Sequence, residues 1–547
     1  METREKLFLF IKILRYKFIM RNLHIPSRSP IYSKNAMVAT SHPEATMKAL
    51  EIIKKGGNAV DAAVTAASVL AVVEAHSTGI GGDCFCIFYS NKDKKVVALN
   101  GSGNLPSKVN YDNIIKTEDN LIDPYSHSAI TVPGAVAAWC KLVKDYGNLE
   151  LTDILSPAIK LAKEGYIVAD VIADMWKREE GKLKVDKDAK RIFLKNEKAY
   201  KIGEIHKQEQ LSETLEYIAK NGRDGFYDGY VAKDIITKIN KLGGQLSLED
   251  LANFQAEYVD AIKIDYNGYQ VYECPPNGQG IVALMMLNIL SNIDINKYEP
   301  NDYRRIHIEA EATKLAFLHR NKYLGDPNFT EIPLQKMLSK DYGMHLSNKI
   351  KEDSVLENLD IKKLENNKDT VYISVVDNEG NFVSFINSIF HPFGSGIVTE
   401  NTGILLHNRG ASFNLDQNHP NFYVPLKKPM HTIIPALLMK NNRPIMPFGV
   451  MGAHYQPVGQ VHFLTNVLDY GMDVQMALDH SRSFYFDNNL ALEKTISLEN
   501  FDKLEKLGHK VTYCDLPHGG GQAIFLRNNG VLVGGSDPRK DGLALGF

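Results

Sequence analysis

Lys368-Asp-Thr-Val-Tyr-Ile-Ser-Val-Val-Asp-Asn-Glu-Gly-Asn381 is the stretch on which the reading of this chain turns. Val371, Ile373 and Val375 alternate with Tyr372 and Ser374, the period-2 pattern of a half-buried strand. Asp377-Asn-Glu-Gly380 supplies turn residues, and Phe382 to Ile389 is a second apolar run, so the whole reads as a β-hairpin. Thr370 stands at the front of the first strand, after the polar run Glu365-Asn-Asn-Lys-Asp369. If the Asp369–Thr370 bond is cut, the Thr370 hydroxyl comes to lie beside its own α-amine. A free α-amine has a pKa of about 8 and can act as a general base near neutral pH. A threonine activated by its own amine is a known nucleophile arrangement. The plain alternative is a β-branched residue that opens a strand, the commoner case for such a stretch taken alone.

Outward from the hairpin the chain alternates helices and strands. Pro43 to Lys55 reads as a helix capped by Ser41 and stopped by Gly56-Gly57. Asp61 to Ala75 is a second helix, apolar almost all round and therefore expected to be buried. Gly79-Ile-Gly-Gly82 precedes a strand, Cys84 to Tyr89. It lacks the Lys-Ser/Thr of a phosphate loop and opens no helix, so tight-turn packing is its expected use. Helical spacing recurs over 134–146, 151–164, 208–220, 281–293 and 304–321, the last with a charged face. Lys177 to Lys207 is expected as solvated surface and Lys340 to Lys368 as a mobile linker. After Thr370, strands and turns run to Met439, helical spacing returns between His454 and Leu507, and the end is strand-rich. Periodicity by itself allows α/β or α+β.

The chain has 547 residues, 44% hydrophobic and 23% charged, the composition of an ordinary globular protein. A formal net charge of -2 gives no electrostatic case for nucleic acid or an anionic membrane. Cys84, Cys86, Cys140, Cys274 and Cys514 form no CxxC pair and are expected as reduced core thiols of a cytoplasmic protein. Lys12 interrupts the apolar run Leu7 to Leu14, so Met1 to Ile19 makes a poor export signal, and Met20 is an alternative start. No later run reaches the roughly 18 apolar residues of a membrane span. There is no HExxH zinc helix, and His518-Gly-Gly-Gly521 has no Gly-x-Ser-x-Gly elbow to serve.

Asn58-Ala-Val-Asp-Ala-Ala63, Gly79-Ile-Gly-Gly82, Val132-Pro-Gly-Ala135, Phe393-Gly-Ser-Gly396, Gly403-Ile-Leu-Leu406 and Ser536-Asp-Pro-Arg539 follow one another along the chain. Together, from about Lys34 to Phe547, they resemble the ordered signatures of the γ-glutamyltranspeptidase family of N-terminal-nucleophile hydrolases. The resemblance implies an α+β fold, a four-layer αββα sandwich, shared by both parts of a chain that cuts itself between Asp369 and Thr370. Residues 1–33 would be an extension, 34–369 the large chain and 370–547 the small chain, with a dimer of these as a further assembly. The resemblance also implies Thr370 as the nucleophile and Ser388 as a second hydroxyl supporting it. In Phe448-Gly-Val-Met-Gly-Ala-His454, Gly452 and Ala453 occupy the family's paired-glycine positions, and their amides are the expected oxyanion donors. Neither a metal nor an organic cofactor is implied. Many members are exported, which leaves the periplasm open beside the cytoplasm.

Departures from the family pattern bear on the substrate. Ser102 stands where members have an arginine for glutamate's α-carboxylate, and Ser412 where an aspartate receives the α-amine. His431-Thr432 replace paired serines, Phe390 replaces an asparagine, and Val371-Tyr372 replace a small residue and a histidine. This pattern resembles the hydrolase-like branch, with its oxamate amidohydrolase-like and cephalosporin acylase-like members. Arg409 is a replacement cation able to grip a substrate carboxylate bidentately; the alternative is a surface salt bridge. The expected partner is a small-molecule amide: a γ-glutamyl amide such as glutathione, or a small carboxylated amide such as oxamate, which the missing clamp favours. A true γ-glutamyl transferase and a non-maturing structural homologue are the alternatives. Retention of Thr370, Ser388 and Gly452 opposes the second.

Overall fold

The computed structural model describes residues 27–356 and 370–547. The segment Met1 to Ile19, Asp369 and the later part of the expected linker lie outside the described residues. The hairpin forms as its sequence predicts: Val371–Val376 pairs antiparallel with Phe382–Ser388, from Val371 opposite Asn387 to Val376 opposite Phe382. Asp377 closes the turn by accepting the amides of Glu379 and Asn381, each at 2.9 Å. Its other oxygen takes the amide of Ala59 at 2.7 Å, which docks the turn on the first residue of helix Ala59–Val73.

Two seven-stranded antiparallel sheets build the molecule. In one, Val371–Val376 and Phe382–Ser388 lie between Met37–Thr40 and Asp83–Ser90, with Leu543–Gly546, Lys95–Gly101 and Glu257–Val259 outward. In the other, Arg443–Met451 and Gly520–Leu526 are central, flanked by Ala436–Lys440 and Leu532–Ser536, then by Tyr269–Glu273, Ile262–Tyr266 and Ile31–Ser33. Phe85, Ile87, Tyr372, Ile386, Leu437 and Ile524 fill the space between the sheets. Helices Ala59–Val73 and Ala135–Tyr146 cover the outer face of the first sheet, and Leu151–Glu164 packs on Ala59–Val73. Gly280–Leu290, Tyr303–Tyr323 and Gln456–Leu468 cover that of the second. The architecture is the four-layer αββα sandwich.

Several local expectations need correction. Val371–Val376 is buried on both faces, not one. Val371, Ile373 and Val375 meet the helices while Tyr372 and Val376 meet the other sheet, because the strand is central in an inner layer. His42, not Ser41, caps helix Pro43–Lys54 by accepting the Glu44 amide. Helix Tyr303–Tyr323 has the charged face its sequence suggests, but much of that face is buried: Arg305 pairs with Glu309 at 2.9 Å and Lys314 with Glu311 at 2.6 Å, all buried. Helix Leu498–Lys506 and the small sheet of Ser483–Phe486, Asn489–Leu492 and Val511–Tyr513 lie over that face. Lys177 to Lys207 is only partly surface, since Leu183, Phe193 and His206 are buried. Lys340–Ser347, at the start of the expected linker, is a helix with Leu346 in the core.

Candidate active site

Hairpin register creates the centre of the site. Because Val371 opposes Asn387, the next residues outward, Thr370 and Ser388, meet with their hydroxyl oxygens 3.0 Å apart. Each is only 1% exposed. Ser388 Oγ also accepts the Phe390 amide at 3.0 Å, which fixes the serine rotamer. Gly82 lies against this pair. A Cβ there would fall 2.3 Å from the Ser388 carbonyl oxygen, so the early glycine motif serves close packing beside the nucleophile candidate.

Asp83, which the sequence reading passed over, organises the far side. It opposes Ser388 in the sheet, and its Oδ1 accepts the amides of Gly103 at 3.2 Å and Gly134 at 3.3 Å. His431 Nε2 lies 3.0 Å and His407 Nδ1 3.4 Å from its Oδ2. Burial pushes the Asp83 carboxyl up, but the two imidazoles outweigh it and hold Asp83 well below the usual carboxylate range. Burial, helped by Arg409, brings His431 down to about 3, so the ring is neutral at neutral pH. His431 then donates Nε2–H to Asp83 and accepts the Ile433 amide on Nδ1, at 3.3 Å. Both ring nitrogens are thus occupied within the protein.

Arg409 is not the surface ion pair that was its alternative reading. It is fully buried, and its guanidinium stacks 4.0 Å over the Phe390 ring. One nitrogen, Nη1, donates to Thr432 Oγ1 at 2.8 Å, while Nε and Nη2 have no hydrogen-bond partner among the described residues. Burial lowers the guanidinium to about 9, against the pull of Asp83, so it remains charged at pH 7. Ser412 closes the turn that carries Arg409: its hydroxyl points at the carbonyls of Arg409 (2.9 Å) and Met430 (2.8 Å), leaving no proton to offer a substrate. Ser102 accepts from Asn277 Nδ2 at 3.0 Å, and the same nitrogen lies 2.7 Å from the Pro429 carbonyl. Ser102 thus braces the segment leading into His431-Thr432.

Gly452 and Ala453 follow strand Arg443–Met451 and both adopt positive φ, 119° and 48°. A side chain at Gly452 would meet Gly519 Cα at 3.0 Å, while Ala453 bears the left-handed strain of roughly 1–2 kcal/mol itself. The Gly452 carbonyl takes the Tyr455 amide at 2.9 Å, which fixes the peptide plane carrying the Ala453 N–H. Gln279, buried at the entry to helix Gly280–Leu290, donates to the carbonyls of Thr432 (2.8 Å) and Ala453 (3.0 Å). It ties the Arg409–Thr432 side of the site to this turn. The signal for Asp83 and Gln279 was their place beside Gly79–Gly82 and within Cys274–Gly280, two glycine loops that converge here.

One other cluster has metal-ligand composition. His307, Glu311 and His509 converge, all buried. Lys314 occupies Glu311 Oε1 at 2.6 Å, and His307 Nδ1 shares a hydrogen bond with His509 Nε2 at 2.8 Å. The three residues are thus arranged as an ion pair and an imidazole pair.

A family model described as gamma-glutamyltranspeptidase matches residues 45–547. Over 523 residues the chain is 36% identical to the glutathione hydrolase-like YwrD proenzyme of Bacillus subtilis, covering 93% of this chain and 98% of that one. It is 30% identical to the oxamate amidohydrolase proenzyme of Klebsiella pneumoniae, covering 94% and 99%. The fold matches the crystal structure of cephalosporin acylase from Bacillus halodurans with a TM-score of 0.89 at 38% identity, covering 97% and 99%. Among the described residues no helix is long and apolar enough to cross a membrane.

Proposed function

Because this chain belongs to the γ-glutamyltranspeptidase family, we propose that it cuts itself before Thr370 and hydrolyses amides of a carboxylate-bearing acyl group. In the first step Thr370 Oγ attacks the Asp369 carbonyl carbon. The peptide C–N bond breaks, the Thr370 amine is freed, and water hydrolyses the resulting ester. In turnover the freed amine accepts the hydroxyl proton, Oγ attacks the substrate amide, and the amine product leaves with a proton. Water then releases the acid. The amides of Gly452 and Ala453 meet the oxyanion in both tetrahedral states, and Ser388 orients Oγ through its 3.0 Å contact. The proenzyme names of the Bacillus subtilis and Klebsiella pneumoniae relatives support maturation into a large chain ending at Asp369 and a small chain, 370–547.

One observation carries the substrate reading: the Nε and Nη2 of buried Arg409 lack a hydrogen-bond partner among the described residues. These two N–H groups form the side of a guanidinium that grips a carboxylate with two parallel bonds. Arg539 uses the same two atoms on Glu493, at 2.7 and 2.5 Å, and Arg304 uses them on Asp302, at 2.9 and 2.7 Å. A substrate carboxylate completes Arg409 in the same way. At the position where an α-amine would need an acid, Ser412 offers a neutral hydroxyl with no charge to balance an ammonium, and that hydroxyl is already turned toward backbone carbonyls. The favoured acyl groups therefore carry a carboxylate without the amine: the oxalyl group of oxamate, or a glutaryl group, which is γ-glutamyl less its α-amine. The test compares kcat/KM on glutaryl-p-nitroanilide and γ-glutamyl-p-nitroanilide with ammonia release from oxamate. Preference for either amine-free substrate supports the reading, and efficient γ-glutamyl turnover overturns it.

A further inference from the structure

A second buried arginine stands behind the Gly452-Ala453 turn. Arg320, on helix Tyr303–Tyr323, is 1% exposed, and its hydrogen bonds among the described residues all go to neutral groups. Nη1 lies 3.1 Å from Gln279 Oε1 and 3.1 Å from His454 Nδ1, and Nε lies 3.1 Å from Asn321 Oδ1. The guanidinium also sits 4.0 Å over the Phe317 ring. An unpaired cation is expensive to bury, and none of these contacts neutralises its charge. His454 is itself held well below its ordinary range, by burial first and then by Arg320 and Arg409, so as a neutral ring it accepts a hydrogen bond from the guanidinium on Nδ1.

Both partners of Arg320 Nη1 lead to the same turn. Gln279 passes the contact to the Ala453 carbonyl at 3.0 Å and to the Thr432 carbonyl at 2.8 Å. His454 follows Ala453 directly in the chain. The guanidinium thus grips both ends of the peptide unit that follows the strained Ala453 backbone, and it polarises the Gln279 amide toward that unit.

We propose that Arg320 is a positioning residue for the reaction: acting through Gln279 and His454, it locks the Gly452-Ala453 turn in its left-handed form and sets a positive field behind the amides that meet the oxyanion. The proposal rests on the reading of Thr370 as nucleophile. Arg320 touches no substrate, so its effect belongs to the transition state and not to ground-state binding.

The test uses the processed enzyme, glutaryl-p-nitroanilide as substrate, 4-boronobutanoic acid as a tetrahedral mimic and glutarate as a ground-state ligand. Removing a direct oxyanion donor costs about 10²–10³ in kcat; an indirect support should cost less. Arg320→Met is expected to lower kcat by about 10- to 100-fold and to weaken the boronate by a similar factor. KM and glutarate affinity should stay within about threefold. Arg320→Lys, which keeps the charge but not the fork, should fall between. Gln279→Met, which cuts the relay and leaves the arginine, should reproduce the kcat loss if Arg320→Met does not fold. Boronate and glutarate affinities that fall together, or a kcat within twofold of wild type, overturn the proposal and make Arg320 a packing residue. Wild-type enzyme that neither binds the boronate nor shows Thr370-dependent turnover refutes the nucleophile reading instead, and this proposal with it.

Discussion

Replacing Arg409 with methionine should move stability and activity in opposite directions. The side chain is fully buried, stacks on Phe390, and gives one hydrogen bond to Thr432, while Nε and Nη2 have no partner among the described residues. Met has a similar reach and no charge, so the substitution removes a buried, half-satisfied cation at the expense of one bond of about 0.5–1.5 kcal/mol. Replacing buried charge with apolar groups of like volume is often neutral or stabilising by about 1–4 kcal/mol. At about 2.1 cal/mol/K per residue, a chain of this length gains roughly 1 °C per kcal/mol, so thermal shift should show an unchanged Tm or a rise of about 1–3 °C. A carboxylated substrate loses its bidentate partner, which costs about 2–5 kcal/mol. That is a fall in kcat/KM on glutaryl-p-nitroanilide of about 30- to 4,000-fold. Valeryl-p-nitroanilide, with the same chain length and no acid, should lose less than about fivefold. A lower Tm with equal losses on both anilides would refute the argument and assign Arg409 to packing.

Other expectations are narrower. Ser388→Ala removes the hydroxyl 3.0 Å from Thr370 Oγ1 and should slow both self-cleavage and turnover by about 10- to 1,000-fold, read by gel densitometry and anilide hydrolysis; unchanged rates would dismiss the supporting role. Ser412→Asp restores an acid where an α-amine would need one, and should raise the γ-glutamyl to glutaryl ratio of kcat/KM by at least about tenfold. A static ratio would mean that the amine lies elsewhere. Burial holds His206 at about 3, and His42, His431 and His509 at about 3 to 4, below the roughly 6.5 of an unfolded chain. Their contribution to stability is therefore complete above about pH 6.5 and is lost as pH falls toward 3, at up to about 1.4 kcal/mol per pH unit for each ring. Urea midpoints should drop from pH 6.5 to 4.5, and His206→Phe, within the rings of Tyr166, Trp176 and Tyr200, should flatten that slope. An identical slope would show that His206 protonates in the folded state.

The hairpin from Thr370 to Ser388 was legible because a strand's period and a turn's residues are local properties, and Thr370 faces Ser388 once the register is drawn. That the same strand is buried on both faces was not legible, since the covering layers come from residues hundreds of positions away. Helix Tyr303–Tyr323 misled for a related reason. Its Arg, Glu and Lys residues read only as a charged face, because the partners on its own turns and the covering sheet that bury part of it cannot be seen in the local sequence. The resemblance brought the proposed nucleophile and the proposed oxyanion turn into view. The supporting network stayed hidden because its members are far apart in the chain: Asp83 and His431 are separated by 348 residues, Gln279 and Ala453 by 174. Ser412 and His431 sat at family substrate positions, and the hydrogen bonds each makes within the protein could not be read from the sequence.

The most direct test of the account is mass spectrometry of the purified protein, intact and after a brief quenched incubation with glutaryl-p-nitroanilide. The account predicts two chains, the smaller beginning at Thr370, with an acyl adduct on the peptide that starts at Thr370, and a single unmodified chain for Thr370→Ala. An active enzyme that remains one chain, or an adduct on any other residue, would contradict it.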